Sequence, residues 1–171
     1  MAITDREEVI TGEKTVEVVK TELSNAIIGD SWSKIARSFT CDYKSETVIQ
    51  SKVSSTETNL FYFNNKQLYM IKRMCIVKKS QPLNKTDYLY PIQAFNALYL
   101  HYKETYGEPV KDDFSLLETD ESSILRYGGY IYSGSMSIES IFANDARIAT
   151  LMIGPYSGGI GFTITEILEG K

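Results

Sequence analysis

Tyr106-Gly107-Glu108-Pro109 divides this chain into two kinds of pattern. Just before it, Ile92, Phe95, Leu98, Tyr99, Tyr102 and Tyr106 recur three or four residues apart, which puts them on one face of a helix running from Pro91 to Tyr106. Pro91 suits the first turn, where a missing amide costs nothing. Gly107 supplies a left-handed cap, and Pro109 prevents the helix from continuing. After the switch, nearly everything reads as strands and turns. The pattern predicts an α+β fold: a predominantly antiparallel sheet packed against one long and one or two short helices.

Downstream, Phe114, Leu116 and Leu117 suit an edge strand or a loop pinned to the core. Thr119 to Ser122 reads as a turn. Ser123 to Tyr132 reads as a strand interrupted by Gly128-Gly129, because paired glycines inside a strand mark a bulge or a bend. Met136 to Phe142, Ala146 to Ile153 and Ile160 to Leu168 complete the strands.

Upstream, residues 43 to 77 read as a three-stranded meander over Thr47–Val53, Asn59–Phe63 and Leu68–Val77. Asn64-Asn65-Lys66-Gln67 carries the best hairpin signal, since Asn tolerates the positive φ that tight hairpin turns need. In the third strand Tyr69, Ile71, Arg73 and Cys75 fall on one face, and Leu68, Met70, Lys72, Met74 and Ile76 on the other. Apolar residues on both faces point to a central strand. A short helix from Trp32 to Ser38 is capped by Asp30 or Ser31, with Trp32 as its anchor to the core. Thr15 to Ile28 fits a helix through Val16, Val19, Leu23 and Ile27, with a strand over Thr15–Val19 as the competing reading. Residues 1–14 form a polar, partly ordered start, and 15–171 a single domain. Within it, 29–79 and 90–168 both run from helix to meander, without a repeat at the level of residues.

The chain has 171 residues, 43% of them hydrophobic and 23% charged, an ordinary composition for a soluble domain. Its net charge of −4 argues against nucleic acid as a partner, because phosphate neutralisation requires a local excess of Lys and Arg. The best basic run, Lys72-Arg73 and Lys78-Lys79, is split by apolar residues and suits a strand with solvated ends. No window approaches a membrane span. No leader pattern opens the sequence, which favours the cytoplasm; export would require a leader removed from this chain. Cys41 and Cys75 are read as free thiols, since spacing alone does not pair them.

The candidate chemistry is sparse. His101 stands alone, with no second His and no Cys-x-x-Cys to make a metal site. Asp112-Asp113 and Asp120-Glu121 lack calcium-loop spacing and read as solvated turns. The stretch from Gly154 to Gly161 lacks the phosphate-loop Lys and precedes a strand, not a helix. No cofactor or metal is expected. The chain has 12 Tyr, and Tyr suits both half-buried sheets and binding surfaces. Tyr127, Tyr130, Tyr132 and Tyr156, near the glycines, are the candidate recognition surface. The sequence therefore points to a non-enzymatic binding or accessory protein with a protein partner or a second copy of itself. The alternatives are a small metal-independent enzyme working through carboxylates and tyrosines, or a structural subunit joined through sheet edges.

Overall fold

Asn65 and Lys66 both adopt positive φ, 49° and 62°, and close a two-residue hairpin between Asn64 and Gln67. Two successive residues of this kind make the loop whose twist matches that of paired strands. The hairpin belongs to a computed structural model describing residues 26–78, 85–114, 121–156 and 161–171. In chain order the elements are α1 (Trp32–Ser38), β1 (Tyr43–Lys44), β2 (Val48–Lys52), β3 (Glu57–Asn64), β4 (Gln67–Lys78), α2 (Lys85–Tyr106), β5 (Lys111–Asp112), α3 (Glu121–Tyr132), β6 (Ile138–Ala143), β7 (Arg147–Pro155) and β8 (Gly161–Gly170). Among the described residues the strands form one antiparallel sheet of eight, ordered β1-β2-β3-β4-β8-β7-β6-β5. The α+β class with three helices on an antiparallel sheet is thus as the sequence predicts.

One face of the sheet carries the core. Phe61, Ile71, Leu151, Ile153, Phe142 and Phe162 are almost wholly buried there. All three described helices lie on this face: Phe39, next after α1, packs on Phe61; Tyr99 and Tyr102 of α2 meet Phe142; Tyr132 of α3 meets Phe162. The short helix forms as expected. Ser31 accepts from the amide of Lys34, and Trp32 donates its indole N–H to the carbonyl of Ser45 at 2.8 Å. Gly107 caps α2 at φ 86°, donating its amide to the Lys103 carbonyl.

Four expectations are corrected. Residues 123–132 form helix α3, not a bent strand. Ile124, Gly128, Ile131 and Tyr132 have helical spacing, and Gly128 and Ile131 are buried. Each helical glycine costs about 1 kcal/mol relative to Ala, but tertiary packing outweighs that penalty. Second, α2 begins at Lys85, so Pro91 lies inside the helix. Pro91 and Ile92 are both buried, and their packing offsets the one backbone bond the ring forfeits. Third, the register of β3 and β4 shifts between Tyr62 and Phe63: Phe63 faces Leu68 while Tyr62 faces Met70. Tyr69 is the extra residue of a bulge. The bulge brings Leu68 onto the core face with Ile71 and leaves Tyr69 exposed, against strict alternation. Fourth, Asp112 is not in a solvated turn but in β5, where it is hydrogen-bonded from two sides.

At 26–28 the chain is not helical: Ile27 to Asp30 is a turn with Gly29 at φ 98°. The expectations that fall on 1–25, 79–84, 115–120 and 157–160 lie outside the described residues, but Glu121 and Ser122, read as part of a turn, open α3 instead.

Candidate functional site

A tyrosine on a helix that faces a sheet can bury its ring and still needs a partner for its hydroxyl. Helix α2 meets this need three times. Tyr99 donates to Asp112 Oδ2 at 2.6 Å, Tyr102 donates to Glu166 Oε1 at 2.8 Å, and Tyr106 is hydrogen-bonded to Arg147. The partners sit on β5, β8 and β7, so one face of one helix is tied to three strands. Asp112 is held in turn by Ser140 Oγ at 2.9 Å and the Phe114 amide at 3.1 Å. Burial, then the hydrogen bond to Asp112, pushes the Tyr99 phenol up. Burial and the Glu166 charge push Tyr102 well above its usual value. Tyr99 and Tyr102 therefore stay protonated and remain donors.

Glu166 links this helix to a second polar group beneath it. Register places Ser51, Asn59, Arg73 and Glu166 side by side across β2, β3, β4 and β8, all on the core face and all at most 4% exposed. Arg73 lies between two carboxylates: Nη2 is 2.6 Å from Glu57 Oε1, and Nη1 is 3.5 Å from Glu166 Oε2. Neither contact satisfies the hydrogen-bonding geometry of the guanidinium fully, since Glu57 Oε1 and Arg73 Nη1 both lack an aligned partner. The pairing is coulombic more than directional. Burial raises the pKa of Glu166 and outweighs the lowering by Arg73 and by Tyr102. Cys75 follows Arg73 on the same face; burial, with the charge of Glu57, pushes its thiol up to about 11, so it is a poor nucleophile. Both cysteines are free.

The residues singled out in the sequence lie elsewhere. Tyr127, Tyr130 and Tyr132 belong to α3. Tyr130 is 48% exposed, Tyr127 is half-buried under the Arg126 guanidinium at 5.2 Å, and the half-buried Tyr132 ring lies 6.4 Å from Phe162. Tyr156 is half-buried just past β7, its amide donating to the Gly161 carbonyl. Helix geometry puts Tyr127 and Tyr130 on one side, three residues apart, and turns Tyr132 inward. His101 is half-buried with its ring 5.8 Å from Tyr102. A shallow depression lined by Thr47, Val48, Tyr62, Phe63, Asn64 and Tyr69 lies by the bulge.

The sheet face away from the helices has a different character. Its rows run Leu60, Lys72, Ile167, Thr150, Ile141, and Thr58, Met74, Thr165, Met152, Glu139. Apart from buried Thr165 these residues are half-buried, and no described helix packs on them. Met70 continues the surface, so three of the chain's five methionines are here.

The buried polar row was not singled out in the sequence. Its signal was a charge in core phase: Arg73 stands between Ile71 and Cys75, and Glu166 between Ile164 and Leu168, two residues away in each direction. Among the described residues, no group of His, Cys, Asp and Glu is arranged to hold a metal, and no helix is long and apolar enough to cross a membrane. No protein-family model matches the chain, and no curated protein or solved structure matches it.

Proposed function

We propose that this is a non-enzymatic binding module that engages a protein partner through the sheet face opposite its helices. The observation that carries this reading is the pair of rows containing Leu60, Ile167, Ile141, Met74 and Met152, half-buried on a broad face to which no described helix contributes. Methionine is unbranched and polarizable, and it adapts to partner surfaces. Lys52, Lys72 and Lys111 alternate on this face with Glu139 and Glu169. Such mixed charge suits a protein better than a polyphosphate. The densest polar constellation, around Arg73, lies beneath helix and sheet, where it can fix structure but cannot meet a substrate. Among the described residues both outermost strands have only two residues, so each described edge is a short template for pairing.

A second reading keeps the tyrosine surface and centres it on Tyr130, whose half-exposed ring favours it. One experiment separates the two. Full-length wild type, M74K/M152K and Y130S/Y156S would be used for capture from an extract of the source cells, with folding checked by circular dichroism. Loss of a captured protein only with M74K/M152K supports the sheet face, and loss only with Y130S/Y156S supports the tyrosines. Retention by both variants sinks both readings. A dimer seen by light scattering and abolished by M74K/M152K identifies a second copy of the chain as the occupant.

A further inference from the structure

We infer that the buried row around Asn59 is a binding site for a neutral hydrogen-bonding guest of the size of water, and that an internal water is a structural part of this protein. Asn59 has no exposed surface, and neither its Oδ1 nor its Nδ2 has a protein partner. Arg73 Nε shares this condition, while Arg73 Nη1 and Glu57 Oε1 are held in ion pairs but have no aligned hydrogen-bond partner. In folded proteins the great majority of buried polar atoms are partnered, so three orphans beside two poorly aligned ionic atoms need a common explanation. They are in one place: Asn59 and Arg73 face each other across β3 and β4, and Glu57 is two residues from Asn59 on the same face. Turning the Asn59 amide over only exchanges one orphan for the other.

The chemistry of the orphans selects the guest. Asn59 Nδ2, Arg73 Nε and Arg73 Nη1 donate; Asn59 Oδ1 and Glu57 Oε1 accept. Water can accept from Arg73 Nε or Asn59 Nδ2 while donating to Asn59 Oδ1 and Glu57 Oε1, and buried waters typically make about three such bonds. A charged guest fits worse. An anion would meet Glu57 and Glu166, which already face Arg73, and a cation would meet the guanidinium. Glu57 is 13% exposed, the most accessible of the group, and marks the side from which water exchanges.

Nuclear magnetic resonance on the isotope-labelled full chain tests this inference. Nuclear Overhauser and rotating-frame spectra at the water frequency distinguish a long-lived bound water from simple proton exchange. The expected result is water contacts to the Asn59 side-chain amide and Arg73 Nε–H, with the sign of a water that resides longer than molecular tumbling. Absence of those contacts overturns the inference, as does a direct bond between Asn59 Oδ1 and Arg73 Nε. The substitution N59L is the independent arm. A lower melting midpoint together with loss of the water contacts supports a structural water. An equal or higher midpoint shows that Asn59 held none. If N59L does not fold, the wild-type spectra alone decide.

Discussion

Tyr99, Tyr102 and Tyr106 of α2 turn their hydroxyls into the molecule, whereas Tyr130 of α3 keeps 48% of its surface outside. Both helices lie on the same sheet face and both are rich in Tyr. They differ in what waits beneath. Under α2 the strands present Asp112, Glu166 and Arg147, so each ring can be buried with its polar end satisfied. Beneath α3 the Tyr132 ring lies against that of Phe162. Tyrosine abundance therefore has two physical causes here. One is a helix fastened to polar strand positions, and the other is ordinary amphipathic coverage of the protein surface. The first helix should be sensitive to every change in its partners and the second tolerant of the same change.

The largest effect should come from the charge on which the α2 side depends. Arg73→Met leaves Glu57 and Glu166 in one buried patch without their common cation. Removing one member of a buried charged group typically costs about 3–5 kcal/mol, and the loss is read from the midpoint of urea unfolding with the slope checked for constancy. A cost near zero would mean that water reaches the cluster freely. Next in size is Tyr102→Phe. It keeps the ring and removes the donor to Glu166 Oε1, leaving a buried acceptor unsatisfied at a cost of about 1–3 kcal/mol. The same unfolding measurement decides it.

The legibility of these regions differs for a physical reason. The α2 stripe, the Asn65-Lys66 hairpin, the Ser31 cap and the core-facing strands were readable because periodicity and turn chemistry are local. Helix α3 was misread because Gly128-Gly129 is a strong local signal, whereas the packing that overrides it is tertiary. The bulge at Tyr69 was hidden for a similar reason: one extra residue shifts which side chains share a face, and only the partner strand reveals it. The polar row was half visible. Arg73 and Glu166 each break an apolar phase, but their adjacency follows from the pairing of β4 with β8, whose residues lie more than ninety positions apart (73 and 166). Asp112 read as a loop acid because nothing nearby in sequence announces Ser140 or Tyr99 as its partners. Of the candidate tyrosines, 127 and 130 fall on one side of a helix, an arrangement that a bent strand would not produce.

The Glu166 carboxyl gives a pH test of the α2 side. Its folded pKa is raised above the usual 4.5, chiefly by burial. The folded state therefore holds this proton more tightly than the unfolded chain does. The associated stabilisation is fully present below pH 4.5 and is lost as pH rises through the folded value. Glu166→Gln removes this titration while keeping an acceptor for Tyr102. Its stability should fall less steeply than that of the wild type as pH rises above 4.5, in unfolding series at matched ionic strength. Parallel curves for the two proteins would exclude Glu166 as the group responsible.

The smallest effect should be Tyr130→Phe, and it is the control that gives the α2 result its meaning. The exchange deletes the same atom as Tyr102→Phe, from a ring that is 48% exposed instead of 4%. Water can solvate the Tyr130 hydroxyl in the folded and unfolded chain alike, so its removal should change stability by no more than about 0.5 kcal/mol. The turn after α3 is held through the backbone: the Tyr130 carbonyl accepts from the amides of Ser135 and Met136, and the substitution leaves it in place. A loss as large as that of Tyr102→Phe would place the Tyr130 hydroxyl in a network of its own. The contrast between a fastened helix and a covering one would then fail. A negligible loss, with the α2 variant clearly destabilised, would show that burial of the partner, and not the presence of tyrosine, decides what a hydroxyl contributes here.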